Sequence, residues 1–235
     1  MRFMEPSMMT SGLQTIYDLA GLKLGGFNFL EPQFLPPQFM AATRYSREVI
    51  TNWQPRFVLL RDILIVVWGI NLINWVLLGG ALRQLCVPRR TIGLISVPIT
   101  PLVHDDPDHL FGNSLYFFIF GWLILLRGIP DFLIITLVIA LVDSLGTWIF
   151  AEPRPNFGAS GIVYGYFSFL LFSSFFDRDI ISLLLAIVVI LLDWAMLRRL
   201  FVNSPNTSLE GHMFGFFGGI LAIFLLPTLR AALIS

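Results

Sequence analysis

The chain has 235 residues, is 56% hydrophobic and carries only 13% charged residues, with a formal net charge of zero. A soluble globular domain usually has about 25% charged residues, so a water-soluble fold of this composition would lack polar surface, and most of the chain belongs in a membrane. Its 15 basic and 15 acidic residues leave no basic field for nucleic acid, and the lone Cys86 has no internal disulfide partner.

Residues 1–56 contain no apolar run long enough to span a bilayer and are rich in Pro, Phe, Met and Gly, which reads as a loosely structured cytoplasmic tail. Glu5 and Pro6 stand where the apolar region of a signal peptide would begin, so targeting is expected from the first transmembrane helix. Residues 57–235 are expected to form an all-α membrane domain. Crossing the hydrocarbon core takes about 20 mostly apolar residues. Six segments approach that length: Phe57–Leu82, His109–Leu126, Asp131–Phe150, Ala159–Phe176, Asp179–Leu197 and Gly211–Leu229. The connections at Arg127–Pro130 and around Asp177 are tight hairpins. The first connection, Arg83–Asp108, is long, and with Ile95, Pro98, Ile99, Pro101 and Leu102 it reads as membrane-associated.

Orientation follows the basic residues. With the N-terminus inside, Arg2, Lys23, Arg44, Arg47, Arg56, Arg61, Arg127, Arg178 and Arg230 lie inside. Arg83, Arg89, Arg90, Arg154, Arg198 and Arg199 lie outside. That bias favours a cytoplasmic N-terminus, with the plasma membrane as the expected location.

Chemistry collects at one membrane face. His104 and His109 open the second segment, Gly158-Ala159-Ser160-Gly161 opens the fourth, and His212 opens the sixth. Even-numbered helices of a six-helix bundle all begin on the same side, which is the outer face here. At about 100° per residue, Gly215 and Gly219 fall within ~60° of His212. Gly211, Gly215 and Gly219 form two overlapping GxxxG motifs, and Gly161 with Gly165 forms another. Small residues at this spacing let helices approach closely in lipid, which would bring Ser160 within reach of an imidazole, as nucleophile activation requires. Tyr164, about 40° from Ser160 in phase, is placed to pack on the histidine ring. Taken alone, a GASG segment is more often a packing surface. The gathering of three histidines and a serine is what favours chemistry. Asp143 and Asp193 fall inside the third and fifth segments and read as structural hydrogen-bonding groups or snorkelling carboxylates rather than an ion pathway. No carboxylate is placed to orient His212, so the expected arrangement is a dyad.

These motifs resemble the rhomboid family of intramembrane serine proteases. His104 through Asn113 is similar to the family's H-x4-H-x3-N segment, Gly158 through Tyr164 to its nucleophile segment, and Gly211-His212-Met213-Phe214-Gly215 with Gly219 to its GHxxGxxxG. The three occur in the family's order over roughly residues 57–230. The resemblance implies a six-helix bundle that cleaves transmembrane segments of protein substrates, needs no cofactor or metal, and admits its substrate laterally from the bilayer. It implies that Ser160 is the nucleophile and His212 the base. It further implies that His109, Asn113 and the Ser160 N–H form the oxyanion hole, and that His104 braces the first loop. Tyr164 would stack on His212, while Gly158 and Ala159 frame the nucleophile. Pro88-Arg89-Arg90 stands where many relatives carry a Trp-Arg pair.

Two other readings remain open on the sequence. One is a proteolytically silent rhomboid-like protein that binds membrane clients. The other is a metal transporter using His104, Asp105, Asp106, Asp108, His109 and His212.

Overall fold

The computed structural model describes residues 53–90, 97–200 and 208–234, and all regular elements among them are helical. The expected tail up to residue 52 and part of the first connection, residues 91–96, lie outside the described residues. Six long helices follow one another: α1 (Trp53–Val76), α2 (Pro107–Leu125), α3 (Ile129–Phe150), α4 (Ser160–Asp177), α5 (Ile180–Asp193) and α6 (Leu209–Ile234). Of these, α1, α3 and α6 are long and apolar enough to cross a membrane, while α5 is apolar but shorter.

The helix ends explain where the sequence-based boundaries shift. The first helix was expected to reach Leu82 but stops at Val76, because Gly79 and Gly80 take left-handed φ values of 56° and 81° and turn the chain into a short 3-10 helix, Ala81–Leu85. The flanking Leu77, Leu78 and Leu82 extend the apolar run without extending the helix. At α2, Asp106 accepts from the His109 N–H at 2.8 Å and Pro107 occupies the first helical position, where its missing N–H costs nothing. Asp179 caps α5 by accepting from the N–H groups of Ile181 and Ser182. The fifth helix was expected to run to Leu197. It breaks after Asp193 and resumes as a short helix, Ala195–Arg199. Ser208 caps α6 through the Gly211 N–H at 3.0 Å.

α4 is the central element and packs against α2, α3, α5 and α6, and every residue from Gly161 to Leu170 is buried. Glycine makes this possible. A Cβ at Gly215 would overlap the Gly161 carbonyl, and one at Gly219 would overlap the Gly165 carbonyl, so α4 and α6 meet backbone to backbone. Ser168 stitches the same interface by donating to the Phe216 carbonyl at 2.7 Å. Phe117, Phe120, Phe132, Tyr166 and Phe167 fill the neighbouring core. The outward row Leu133, Leu137, Leu141 and Leu145 on α3 is 40% to 60% exposed, an apolar face suited to lipid rather than water.

Candidate active site

The α4–α6 contact fixes the positions of two polar side chains at the N-terminal ends of these helices. His212 Nε2 lies 3.2 Å from Ser160 Oγ, and the Tyr164 ring stacks on the His212 ring at 4.2 Å between centroids and 28° between planes. His212 is buried, and its Nδ1 has no hydrogen-bond partner. Among the described residues no carboxylate is hydrogen-bonded to the His212 imidazole. Ser160 begins α4, where the first-turn N–H groups lack intrahelical acceptors and the helix dipole is positive.

His104 organises the opposite wall. Its Nε2 faces Asn113 Nδ2 at 3.0 Å and accepts from the Ala159 N–H at 3.3 Å. Both neighbours are donors, so Nε2 must be the unprotonated nitrogen. Burial, then the nearby His109, pushes the imidazole down to about 4, and the ring is neutral near pH 7. His109 packs edge-on against His104 at 5.1 Å, and its Nδ1 meets Asp105 Oδ1 at 2.8 Å. Burial opposes ionisation of Asp105, but the contact with His109 holds its carboxyl below the usual range. Gly158 has φ 117°, a conformation glycine tolerates, and a Cβ there would sit 3.1 Å from the His109 ring and 3.5 Å from Asn113 Nδ2.

The serine–imidazole pair borders a cavity of about 460 Å3 between α2, α4, the Ala195–Arg199 helix and the start of α6. Its walls include His109, Asn113, Tyr116, Ser160, Arg199 and His212. A smaller polar cavity of about 120 Å3, lined by Asp105, Glu152, Arg154, Asn156 and Glu210, shares His109, Phe157 and Ser208 with it. Asp105 before α2 and the Glu152–Asn156 loop thus line one cavity beside the Ser160–His212 pair. Among the described residues no three His, Cys, Asp or Glu side chains are gathered as a metal site requires.

Several contributors were not anticipated from the sequence. Asn71 of α1 accepts from the His104 N–H at 2.7 Å and donates to the Leu102 carbonyl at 2.8 Å, while Trp75 donates to the His104 carbonyl at 3.1 Å. The signal was present as an amide inside an apolar span, where an unpaired polar group is costly. Arg89 donates to the Ile149 and Phe150 carbonyls at the C-terminus of α3, so Pro88-Arg89-Arg90 anchors the first connection there. Asn156 donates to Ser208 Oγ at 2.7 Å and joins the loop before the serine to the cap of the histidine helix. Cys86 is buried, and burial pushes its thiol up to about 11, away from the reactive thiolate.

Asp193 accepts from the Tyr116 hydroxyl at 2.6 Å and pairs with Arg199, in keeping with a structural reading. Asp143 is buried, accepts from Thr147 and packs against Gly161 beside the serine.

Helices long and apolar enough to cross a membrane, with a serine–imidazole pair at the N-terminal ends of two closely packed helices, define an integral membrane protein with a candidate nucleophile–base site. The Rhomboid domain family model matches residues 90–228, more than half of the chain. This protein belongs to the rhomboid family. It is 30% identical over 148 residues to an uncharacterized protein of Mycobacterium tuberculosis, covering 59% of this chain and 62% of the relative. It is 28% identical over 149 residues to an uncharacterized protein of Mycobacterium leprae, covering 58% of each. With the Bacillus subtilis protein named "Putative rhomboid protease YdcA" it shares 34% identity over 132 residues, covering 54% of this chain and 65% of the relative. The chain thus matches a little under two thirds of the length of each of these relatives.

Proposed function

We propose that the protein is an intramembrane serine endopeptidase that cleaves transmembrane segments of membrane-protein substrates through a Ser160–His212 dyad. The observation that carries this reading is the 3.2 Å approach of Ser160 Oγ to His212 Nε2 within a cavity that Asn113 and His109 also border. In this reading all six long helices lie in the plasma membrane, the N-terminus is cytoplasmic and the cavity opens to the outer face.

The chemistry runs as acyl transfer. His212 Nε2 takes the proton from Ser160 Oγ as the oxygen attacks the scissile carbonyl carbon, and the carbonyl oxygen becomes an oxyanion. Donors from Asn113, His109 and the Ser160 N–H surround that oxygen, and a preorganised donor of this kind typically contributes about 3 kcal/mol to the transition state. Collapse expels the amine, which takes the proton back from His212, and leaves an ester on Ser160. Water, deprotonated by His212, hydrolyses that ester and restores the serine. No cofactor takes part in any of these steps. The Tyr164 ring stacked on His212 holds the orientation of the imidazole. Asn113 has a second amide hydrogen to offer while its first stays on His104, so the brace and the oxyanion hole are compatible.

Co-expression with a panel of single-span membrane reporters tests this function. The reading expects release of a cleaved ectodomain from at least one reporter, and loss of release in Ser160→Ala. Release that continues in Ser160→Ala would overturn it. A panel left intact while the reporters co-purify with the protein would favour the silent, client-binding alternative.

A further inference from the structure

A third cavity, of about 220 Å3, shares Asn113 with the one beside Ser160 but belongs to another part of the bundle. Its walls come from Ile63, Leu64 and Val67 of α1, from Phe117 of α2, from Ala140 of α3, and from the turn around Pro101. Among its polar lining groups, His104 uses Nε2 toward Asn113 and the Ala159 N–H, and its buried Nδ1 has no hydrogen-bond partner, a single atom where a buried water needs at least two. Asn113 faces His104, Ser114 bonds the Leu110 carbonyl and the Trp68 indole, and Thr136 bonds the Phe132 carbonyl and Tyr166. Buried water needs two to four polar partners, and apolar cavities of about 150 Å3 stay dry and take up benzene or xenon. This larger cavity is therefore a site for hydrocarbon.

Its position says where the hydrocarbon comes from. α1 and α3 each have the length and apolarity of a membrane span, yet α1 packs on α2 and the Thr100–Leu102 turn rather than on α3. The cavity lies in the cleft left between them, and Ile63, Leu64 and Pro98 in its lining remain open to the surface. Beside it, Ile65 and Val66 on α1 and Leu133 and Leu137 on α3 face outward. A partner helix, about 10–12 Å across with its side chains, is too broad for this space, whereas a single alkyl chain is not. Moving such a chain out of the bilayer gains nothing by transfer, since lipid tails are as apolar as leucine. The gain is the dispersion contact that the walls forfeit when they face a void.

We propose that one acyl chain of a bilayer phospholipid occupies this cavity and rests against Asn113 and Ala159, beside the serine. Binding of this lipid does not depend on the proteolytic reading. The test is photo-crosslinking of the protein in phosphatidylcholine nanodiscs doped with a phosphatidylcholine that carries a diazirine near the end of one acyl chain. Adducts are mapped by mass spectrometry in wild type, Ala140→Trp, which fills the cavity, and Leu137→Trp, which alters the outward face. The expected result is adducts on Ile63, Val67 or Ala140 in the wild type, lost in Ala140→Trp and kept in Leu137→Trp. Wild-type adducts confined to outward positions such as Ile65, Val66, Leu133 and Leu137 would overturn the proposal. So would adducts on Ile63 and Val67 that persist unchanged in Ala140→Trp. The wild-type map decides the matter even where the tryptophan variant does not fold, and Ser160→Ala gives the same map whether or not the protein is a protease.

Discussion

Acid should undo the brace around the serine through His104. This imidazole is fully buried, accepts from the Ala159 N–H, and sits near 4 rather than its ordinary 6.5. Its native pKa lies below the unfolded one, so the unfolded chain binds the extra proton between those two values. The neutral ring's contribution is therefore complete above about pH 6.5, is lost progressively as the pH falls, and is exhausted near pH 4. A difference of 2.5 units, at 1.36 kcal/mol each, sets a ceiling of about 3 kcal/mol, of which about 2 kcal/mol is lost between pH 7 and 4.5. The assay is reversible unfolding in detergent micelles across that range, comparing wild type with His104→Ala. Other titrating groups cancel in the difference. The variant should be less stable at pH 7, because the Ala159 N–H and Asn113 lose their acceptor, and the gap should narrow by about 2 kcal/mol at pH 4.5. A gap that stays constant or widens on acidification would refute a neutral, hydrogen-bond-accepting His104.

Three further outcomes follow from the geometry. Gly215→Val drives a side chain into the Gly161 carbonyl, so it should destabilise the fold by at least about 3 kcal/mol in the same unfolding assay and separate Ser160 from His212. Asn113→Ala should lower kcat on a cleavable membrane reporter by about 10²-fold or more while Ser160 remains in place, as loss of an oxyanion donor does. Tyr116→Phe removes the hydroxyl that ties α2 to Asp193, and hydrogen exchange should rise through residues 193–199, with a stability cost of about 1–2 kcal/mol.

The residues of the candidate site are the legible part of this sequence. Ser160, His212, Asn113 and the glycines at 161, 165, 215 and 219 stand in short motifs whose spacing depends on helical phase, and phase is fixed by the backbone. The site that resulted from them was therefore readable before its surroundings were. What holds it was harder to see, because it depends on contacts between distant elements. Asn71 and Trp75 grip the segment before α2 from a helix whose sequence shows a buried amide but not its partner, and Arg89 reaches the C-terminus of α3 across some sixty positions of chain. Helix ends depart from the sequence-based bounds where apolar content and helical conformation part company. Gly79 and Gly80 end α1 inside an apolar run, and Trp194 interrupts the fifth segment with no glycine or proline to announce the break. The cavity between α1 and α3 was not legible, since it is a gap whose walls come from four helices and the first connection, and no single motif describes it even though His104, Asn113 and Ala159 border it.

The central claim is that Ser160 is a nucleophile activated by His212. Labelling of the detergent-purified protein with a fluorophosphonate measures this directly, because the reagent reports a reactive serine without requiring a known substrate. The account predicts labelling of the wild type, its loss in Ser160→Ala, and a sharp fall in His212→Ala. Absence of labelling under conditions that label an active rhomboid protease, or labelling that survives Ser160→Ala, would contradict it.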